Sequence, residues 1–473
     1  MIELEILSNI LFVLALGYYF MTNMQWYSYK LERVVFHHTK PWWHVTYFLV
    51  PLLGYFILSK LHLSIIATVV YIGMLYKWKM EQDKPLVFTG RVKRFFAVLL
   101  FFLAFTIMLT TGMKYGSYAV LIPILLTYLV SMIMEKILFK GFVVKAKKRL
   151  ESMDKMIVVG ITASYGKTSI KNYIAHILSA KYKTYATPRS VNTFGGVLKD
   201  INDDLPSDTE VYVVEMGARG RGDIAEISTF VNPHYAVVGK IGSAHIEYFG
   251  SLENIRNTKM EILQTNQLKE AWVHDSAMVK PQKNVHSFGG EITNIQATLD
   301  GLDFEMDGER YHVNILGSFN AMNIAVSIKV AKALGMESET IKKQLQTLQP
   351  TAHRLQRMDA GGKLIIDDSF NGNIDGMLEG FNLSSTYEGR KVVITPGLVE
   401  VDDELNIQVA KRANEVFDLV VVTGDLNYDI FKEHVDSDKL VKLDSKDKMQ
   451  EMLVEQTRAG DLILFANDAP SFI

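Results

Sequence analysis

The apolar residues of this chain crowd into its first 140 positions, and that crowding constrains the fold more than any motif does. Five apolar stretches stand there: roughly Ile6–Met21, Val45–Leu58, Leu63–Tyr76, Phe95–Leu109 and Tyr118–Ile137. Together they are too long, and too often repeated, for a cleavable signal peptide. Several fall short of the ~20 residues that an upright spanning helix needs, so tilt or flanking residues must complete them. The connections alternate in charge. Lys30, Arg33 and Lys40 follow the first stretch, Lys77, Lys79, Lys84, Arg91, Lys93 and Arg94 the third, and Lys140, Lys145, Lys147, Lys148 and Arg149 the fifth. The remaining connections hold only Lys60 and Lys114, and the amino terminus offers Glu3 and Glu5. Basic loops stay in the cytoplasm. The expectation is a multi-pass region of about five helices in the cytoplasmic membrane, amino terminus outside, with everything after Arg149 in the cytoplasm. Trp26, Trp42, Trp43 and Trp78 fall near the expected boundaries, as interfacial anchors. Glu135 lies near the inner end of its helix as an interfacial charge, and the run Lys145–Arg149 faces anionic lipid. A buried soluble helical domain is the alternative.

From Ile157 onward the pattern changes to alternating strands and helices. Met156–Ile161 reads as a buried strand, and Lys167–Ser179 as a helix with Ile170, Tyr173, Ile174 and Ile177 on one face. Val211–Glu215 and Ala236–Gly239 are further strands. Asn284–Leu316 alternates in period two with Gly-Gly and Asp-Gly turns, which predicts a small antiparallel addition. Asn320–Leu334 reads as a helix ended by Gly335. Loss of periodicity around Thr347–Arg354 predicts a domain boundary, followed by strands at Leu364–Asp367, Lys391–Thr395, Leu419–Val422 and Asp461–Phe465. The domain expectation is a membrane region over 1–150, a first α/β domain over 151–349 and a second α/β domain over 350–473. The chain has no cysteine, which excludes disulfides, zinc–thiolate sites and cysteine nucleophiles. A net charge of −2 gives no general reason to expect nucleic acid as a partner.

The chemistry is carried by short motifs. Thr162–Ser169 reads TASYGKTS between a strand and a helix. Backbone N–H groups at such a helix start face an anion, Lys167 reaches the outer phosphates, and the Thr168 hydroxyl ligates Mg²⁺. The spelling departs from the general phosphate loop, because the first glycine of GxxxxGKS/T falls on Ile161. Glu215 ends a strand in VVEMGARGRGDI, where a carboxylate serves either a metal or simply the strand end. His245 in GSAHIEYFGS and Lys259 in NTKMEIL have bland readings alone, a structural histidine and a solvated lysine.

In this order and at this spacing, TASYGKTS, EMGARGRGDI and SAHIEYFGS, with a lysine fourteen positions after the histidine, resemble the ATPase domain of the Mur ligases. GSFNAMNIA at Gly317–Ala325 and HRLQ followed by IIDDSFNGN at Ile365–Asn373 extend the resemblance, which is continuous over Ile157–Asn373 and looser beyond. The branch most resembled adds D-alanyl-D-alanine to the muramyl tripeptide of peptidoglycan precursors. The implied fold is an α-helical transmembrane region followed by α/β: a Mur-ligase-type P-loop ATPase central domain and a carboxyl-terminal Rossmann-like domain. The implied activity is ATP-dependent amide ligation through an acyl phosphate, with two Mg²⁺ ions. Residue by residue, the resemblance implies that Thr162, Ala163, Ser164, Tyr165, Gly166, Lys167, Thr168 and Ser169 hold the triphosphate. Thr168 would serve the first Mg²⁺, and Glu215 and His245 a second. Lys259 matches the lysine the family carries as a carbamate, which serves the metal site. Asn192 would lie near the acyl phosphate. Asn320 and Asn323 would contact adenine, Arg354 the γ-phosphate and Asp368 the ribose, with Asn371 and Asn373 in support.

Three departures stand against the family pattern. Ala163 replaces a glycine, Phe319 replaces a histidine, and apolar stretches occupy the place of the domain that binds the UDP end of the precursor. The acceptor is therefore either UDP-linked or lipid-linked muramyl tripeptide, with D-alanyl-D-alanine and membrane lipid as the other partners. A membrane ligase of another envelope polymer or a poly-amino acid, and a non-catalytic membrane scaffold, are the alternative functions.

Overall fold

The structure is a computed structural model that describes residues 2–27, 29–36, 38, 40–82, 84–110, 120–244, 246–280, 282–370, 373–399 and 401–467. It divides into two compact units, one up to Gly141 and one from Phe142 onward.

The first unit consists of helices and connecting segments, with no strand among its described residues. Four helices are long and apolar enough to cross a membrane: Glu3–Trp26, Trp42–Lys60, Gly90–Leu109 and Leu121–Glu151, the last entering the second unit at Phe142. The third apolar stretch forms the helix Ser64–Met80, which at 17 residues is the shortest of the five. Among the described residues four of the five apolar stretches thus meet that length and apolarity, and the fifth stretch begins outside the described residues. Outward positions such as Leu53, Ile57, Val69, Phe101, Ile133 and Ile137 are exposed and apolar, the reverse of a soluble bundle. The tryptophans divide: Trp42 is exposed as an anchor should be, but Trp43 and Trp78 are buried and pack against each other at 5.8 Å. Glu135 is not a lone interfacial charge, because Arg94 Nε and Nη2 both donate to its Oε1 at 2.9 and 2.7 Å.

One local feature follows directly from proline chemistry. Pro51 has no N–H, so the Tyr47 carbonyl one turn earlier loses its helical donor. The helix widens over Val45–Leu49 just before the proline, and Tyr71 from the neighbouring helix donates its hydroxyl to Tyr47 O at 2.8 Å. In lipid, such a freed carbonyl needs a protein donor.

The second unit carries three sheets. Its strands are β1 (Ile157–Thr162), β2 (Thr184–Ala186), β3 (Val211–Glu215), β4 (Tyr235–Val238), β5 (Glu270–His274), β6 (Val285–Phe288), β7 (Thr293–Ala297), β8 (Leu302–Met306) and β9 (Glu309–Val313). They continue with β10 (Gln356–Ala360), β11 (Lys363–Asp368), β12 (Lys391–Thr395), β13 (Leu419–Thr423), β14 (Leu440–Leu443) and β15 (Leu462–Ala466). A parallel six-stranded sheet has the order β2-β3-β1-β4-β5-β6. β7, β8 and β9 form a separate antiparallel sheet. This corrects the expectation for Asn284–Leu316: its first strand closes the edge of the parallel sheet, and only 293–313 is the antiparallel addition. The last sheet, β10-β11-β15-β12-β13-β14, is parallel except for the antiparallel edge strand β10.

Strands of the parallel sheet are buried on both faces, which is why β1 (IVVGIT) and β3 (VYVVE) are mostly apolar along their length rather than alternating. The helix Lys167–Leu178 presents Ile170, Tyr173, Ile174 and Ile177 to one face, all essentially solvent-free. Each such side chain contributes roughly 1.5–3 kcal/mol of burial. The other face is covered by Phe194–Asp203 and by the tail of Leu121–Glu151, whose Ala146 is fully buried. Arg149 ends that tail by donating to the carbonyls of Asn202 and Leu205. The basic run therefore gives up Arg149 to folding, which corrects its assignment to lipid.

Candidate active site

The carboxyl ends of β1 and β3 lie side by side, with Ile161 paired to Glu215. Ligand sites of open parallel sheets form at such strand ends. The turn after β1 is pinned from beneath: Ser164 N donates to Lys240 O at 2.9 Å, and the Ser164 hydroxyl to Gly242 O at 3.0 Å. Gly166 has φ +80° and starts the helix Lys167–Leu178. A Cβ on Gly166 would stand 2.8 Å from Asn323 Oδ1, so both the backbone conformation and the close approach require glycine. Ala163 is fully buried against Gly239, where a Cβ would come within 3.0 Å of its methyl. The alanine departing from the family pattern fits because its neighbour is glycine.

Glu215 is 1% exposed and its carboxylate is fully engaged. Thr168 donates its hydroxyl to Oε2 at 2.9 Å, and Asn192 donates its side-chain amide to Oε1 at 3.0 Å. Lys171 Nζ stands 3.5 Å from Oε2. The backbone N–H of Glu215 donates to the Thr187 hydroxyl at 3.1 Å. Lys167 folds back to donate to the carbonyls of Ala163 and Ser164 at 2.8 and 3.1 Å, leaving one N–H free to point elsewhere. Burial lowers its pKa, the Glu215 charge opposes this, and Arg354 adds to it.

Two cavities open here. One of 310 Å³ is lined by Ser164–Ser169, Ser190, Asn192, Glu215, Arg354 and Asn373 among others. A second, of 490 Å³, is lined by Tyr165, Gly166, Phe288, Phe319, Met322, Asn323, Arg354 and Asp368 among others. Arg354 borders both, and burial lowers its pKa against the opposing charges of Asp368 and Glu215. It sits between His353 and Leu355, two non-glycine residues at φ +61° and +45°. Such left-handed backbone persists only when its surroundings over-determine it, and it clusters at functional sites. Here Leu355 N donates to Asp368 Oδ1 at 3.0 Å, and His353 Nδ1 lies 2.7 Å from Asp367. Asn373 caps the helix Ile374–Ser385 through Gly376 N at 2.9 Å.

The structure thus gathers Ser164, Tyr165, Gly166, Lys167, Thr168, Ser169, Asn192, Glu215, Asn323, Arg354 and Asp368 around adjoining cavities. It sets others behind them. The Thr162 hydroxyl is spent on Met216 O at 2.9 Å. Asn320 is buried, accepting from Asn323 at 3.0 Å and from Tyr173 at 3.3 Å, so it orients Asn323 rather than facing the cavity. Lys259 is 4% exposed and borders neither cavity. Burial, then Lys167, lowers its pKa to about 7 against the opposing pull of Asp223 and Glu261. His245 and Asn371 lie outside the described residues. Lys171, Ser190, Phe288 and Met322 were not singled out from sequence. Lys171 alone had a signal there, one helical turn beyond Lys167 on the face toward Glu215.

The donor set can be tested for Mg²⁺. A hydroxyl and a carboxylate 2.9 Å apart at the wall of the 310 Å³ cavity supply two hard oxygen ligands, as suits an ion that keeps several waters and binds substrate phosphates. No group of three His, Asp or Glu side chains gathers among the described residues, so the protein cage for a second ion is not assembled from them.

This strand–turn–helix cradle, with its strand-end carboxylate and an arginine from the loop ahead of β10, is similar to the ATPase site of the Mur ligases. The Mur ligase middle domain family matches residues 161–331 of the chain. Within that family the similarity runs to MurF. The UDP-N-acetylmuramoyl-tripeptide--D-alanyl-D-alanine ligase of Bacillus subtilis (strain 168) is 28% identical over 333 residues, 65% of this chain and 72% of that protein. The enzyme of the same name from Escherichia coli (strain K12) is 27% identical over 297 residues, 58% of this chain and 66% of its own length. A MurF ligase from Thermotoga maritima, solved in complex with ADP, superposes with a TM-score of 0.59 at 26% identity, covering 69% of this chain and 80% of that one.

Proposed function

We propose that this chain is a membrane-anchored, ATP-dependent ligase that joins D-alanyl-D-alanine to the muramyl tripeptide in peptidoglycan precursor synthesis. The carrying observation is the Thr168–Glu215–Asn192 constellation at the wall of the 310 Å³ cavity, faced by Lys167 and Arg354. A carboxylate is a poor acyl donor, so its oxygen first attacks the γ-phosphorus of ATP, giving an acyl phosphate and ADP. The amine of the dipeptide then attacks the acyl carbon and inorganic phosphate leaves. Negative charge spreads over the transferred phosphoryl group in the first step, and the helix start at Lys167, its ammonium and the Arg354 guanidinium are placed to stabilise it. Thr168 and Glu215 would hold Mg²⁺, which would supply further neutralisation of the phosphate oxygens. The larger cavity suits the nucleoside: Phe288, Phe319 and Met322 offer apolar surface to the base, with Asn323 and Asp368 as polar contacts.

Lys259 fits the family's carbamate. A neutral amine is needed to add CO₂, and a buried lysine with a pKa of about 7 supplies one near neutral pH. The resulting carboxylate would join Glu215 and His245 in serving a second Mg²⁺. The catalytic part faces the cytoplasm, because the basic loops of the first unit set that orientation. With a helical first unit where the family binds UDP, a lipid-linked tripeptide is the second acceptor to consider. The test is phosphate release by the purified full-length protein with ATP, D-alanyl-D-alanine and either UDP-linked or lipid-linked tripeptide. Release that needs both peptide substrates supports the reading. ATP turnover indifferent to the dipeptide, with both acceptors, refutes it.

A further inference from the structure

Two lysines are fully buried among the described residues, Lys259 and Lys171. Lys171 lies on the helix Lys167–Leu178, is 1% exposed and borders neither cavity. Removing an ammonium from water is costly unless it is paired and hydrogen-bonded. Its partners are two: the carbonyl of Arg189, to which Nζ donates, and Glu215 Oε2. Burial lowers its pKa, and the nearby Glu215 and, further off, Asp200 counter this. Asp200 is itself buried and held by the hydroxyls of Tyr185 and Tyr212 at 2.7 and 2.6 Å, so both carboxylates that favour the charged ammonium are anchored.

Arg189 explains why a donor is needed there. It is a non-glycine residue at φ +50°, a strained left-handed conformation that must be held from outside. The segment it belongs to, Pro188–Asn192, carries Ser190 and Asn192 into the smaller cavity. Its other backbone ties are few: Val191 N to Pro188 O at 3.1 Å, and Gly217 N to Asn192 O at 2.7 Å. We propose that Lys171 is a positioning residue which, through the Arg189 carbonyl and Glu215, holds the Pro188–Asn192 segment in register with the phosphate loop. Ser190 and Asn192 are thereby presented to the reacting carboxylate and its phosphoryl group without any contact between Lys171 and substrate. The catalytic consequence rests on the proposed ligase function, but the tie itself does not.

The experiment compares full-length wild type with Lys171→Met, Lys171→Gln and Lys171→Arg in detergent, by hydrogen exchange and by ligation. In Lys171→Met, exchange in peptides spanning 186–196 should rise by about tenfold or more, because a charge-assisted hydrogen bond is lost. β1 and the body of the helix Phe194–Asp203 should stay protected. Turnover should fall by roughly 30-fold with ADP binding changed less than about threefold, since Lys171 borders neither cavity. Lys171→Arg, which keeps the donors, should recover most of both. Unchanged exchange at 186–196 overturns the proposal, as does loosening spread evenly over the parallel sheet, or an arginine variant no better than methionine. Should Lys171→Met fail to fold, the same two readouts on Lys171→Gln decide. If wild type ligates neither acceptor, the ligase reading fails while the exchange result still judges the tie.

Discussion

Burial lowers the pKa of both Lys167 and Lys259, but only Lys167 has carbonyl acceptors beside it. If the proposed ligase function holds, Lys167→Ala removes a charge that stabilises the transferred phosphoryl group, and turnover at saturating ATP should drop by roughly 100-fold or more. Phosphate release checks it, and a variant keeping a tenth of wild-type turnover contradicts the assignment. Lys259 makes a pH-dependent prediction. Its pKa falls from 10.5 to about 7, so the amine is mostly neutral above pH 7 and mostly protonated below it. Carbamate formation consumes the neutral amine and releases a proton, so it weakens as pH falls through 7. Protein stripped of CO₂ should therefore regain activity on adding bicarbonate at pH 8, and at an initial rate roughly tenfold lower at pH 6 at equal dissolved CO₂, following the neutral-amine fraction. Equal recovery at the two pH values removes Lys259 from the site. The same shift bears on stability: between 7 and 10.5 the unfolded chain binds the proton and the folded one does not, so this group makes stability rise with pH across that window.

At the scale of elements, close approach decides which positions tolerate change. The β4 end meets the phosphate turn at Gly239, where a Cβ would come within 2.9 Å of Ile170 Cδ1 and 3.0 Å of Ala163 Cβ. Gly239→Ala should cost about 1–3 kcal/mol by forcing the turn from the helix, read as a lower unfolding midpoint and weaker ADP binding together. In the first unit, Tyr71→Phe strands the Tyr47 carbonyl that Pro51 cannot serve. The expected loss is about 1–3 kcal/mol in thermal unfolding in detergent. A Pro51→Ala change in the same chain restores the helical donor and should recover part of that loss. If Tyr71→Phe is as stable as wild type, the carbonyl has another partner.

For the whole molecule, the boundary of the catalytic part matters. The tail beginning at Phe142 is part of the second unit: Ala146 is buried in its core, Asn202 donates to Phe142 O at 3.0 Å, and Arg149 closes the tail on Asn202 and Leu205. A truncation beginning at Leu150 discards all of this, whereas one beginning at Phe142 keeps it. The longer form should unfold several degrees higher and stay soluble, consistent with about 2–4 kcal/mol for one buried apolar contact set and two charged hydrogen bonds. Indistinguishable midpoints would show the tail to be dispensable. A reporter after Arg149 should behave as cytoplasmic; the opposite outcome puts the ATP site on the wrong side of the membrane. Lys114, the external landmark of that topology, lies outside the described residues.

By itself the sequence determined what is local. TASYGKTS between an apolar run and an amphipathic helix could fold only as a strand, a turn and a helix start, and the structure has β1, Gly166 at φ +80° and Lys167 there. Glu215 ending β3 and the helix from Asn320 were legible for the same reason: period and punctuation act over a few residues. Val285–Phe288 was legible as a strand but not as the sixth of a parallel sheet, because alternation marks exposure and cannot say which edge a strand joins. Convergence was the work of tertiary structure alone. Phe288, Asn323, Arg354 and Asp368 meet around one cavity only because the chain packs β6, the helix Asn320–Ala333 and the strand-end loops of the last sheet together. Lys171 shows the limit most sharply. Its four-residue spacing from Lys167 put it on the right face, but whether a lysine there is solvated or sealed depends on the Arg189 carbonyl and the Glu215 carboxylate arriving from distant segments to offset its desolvation.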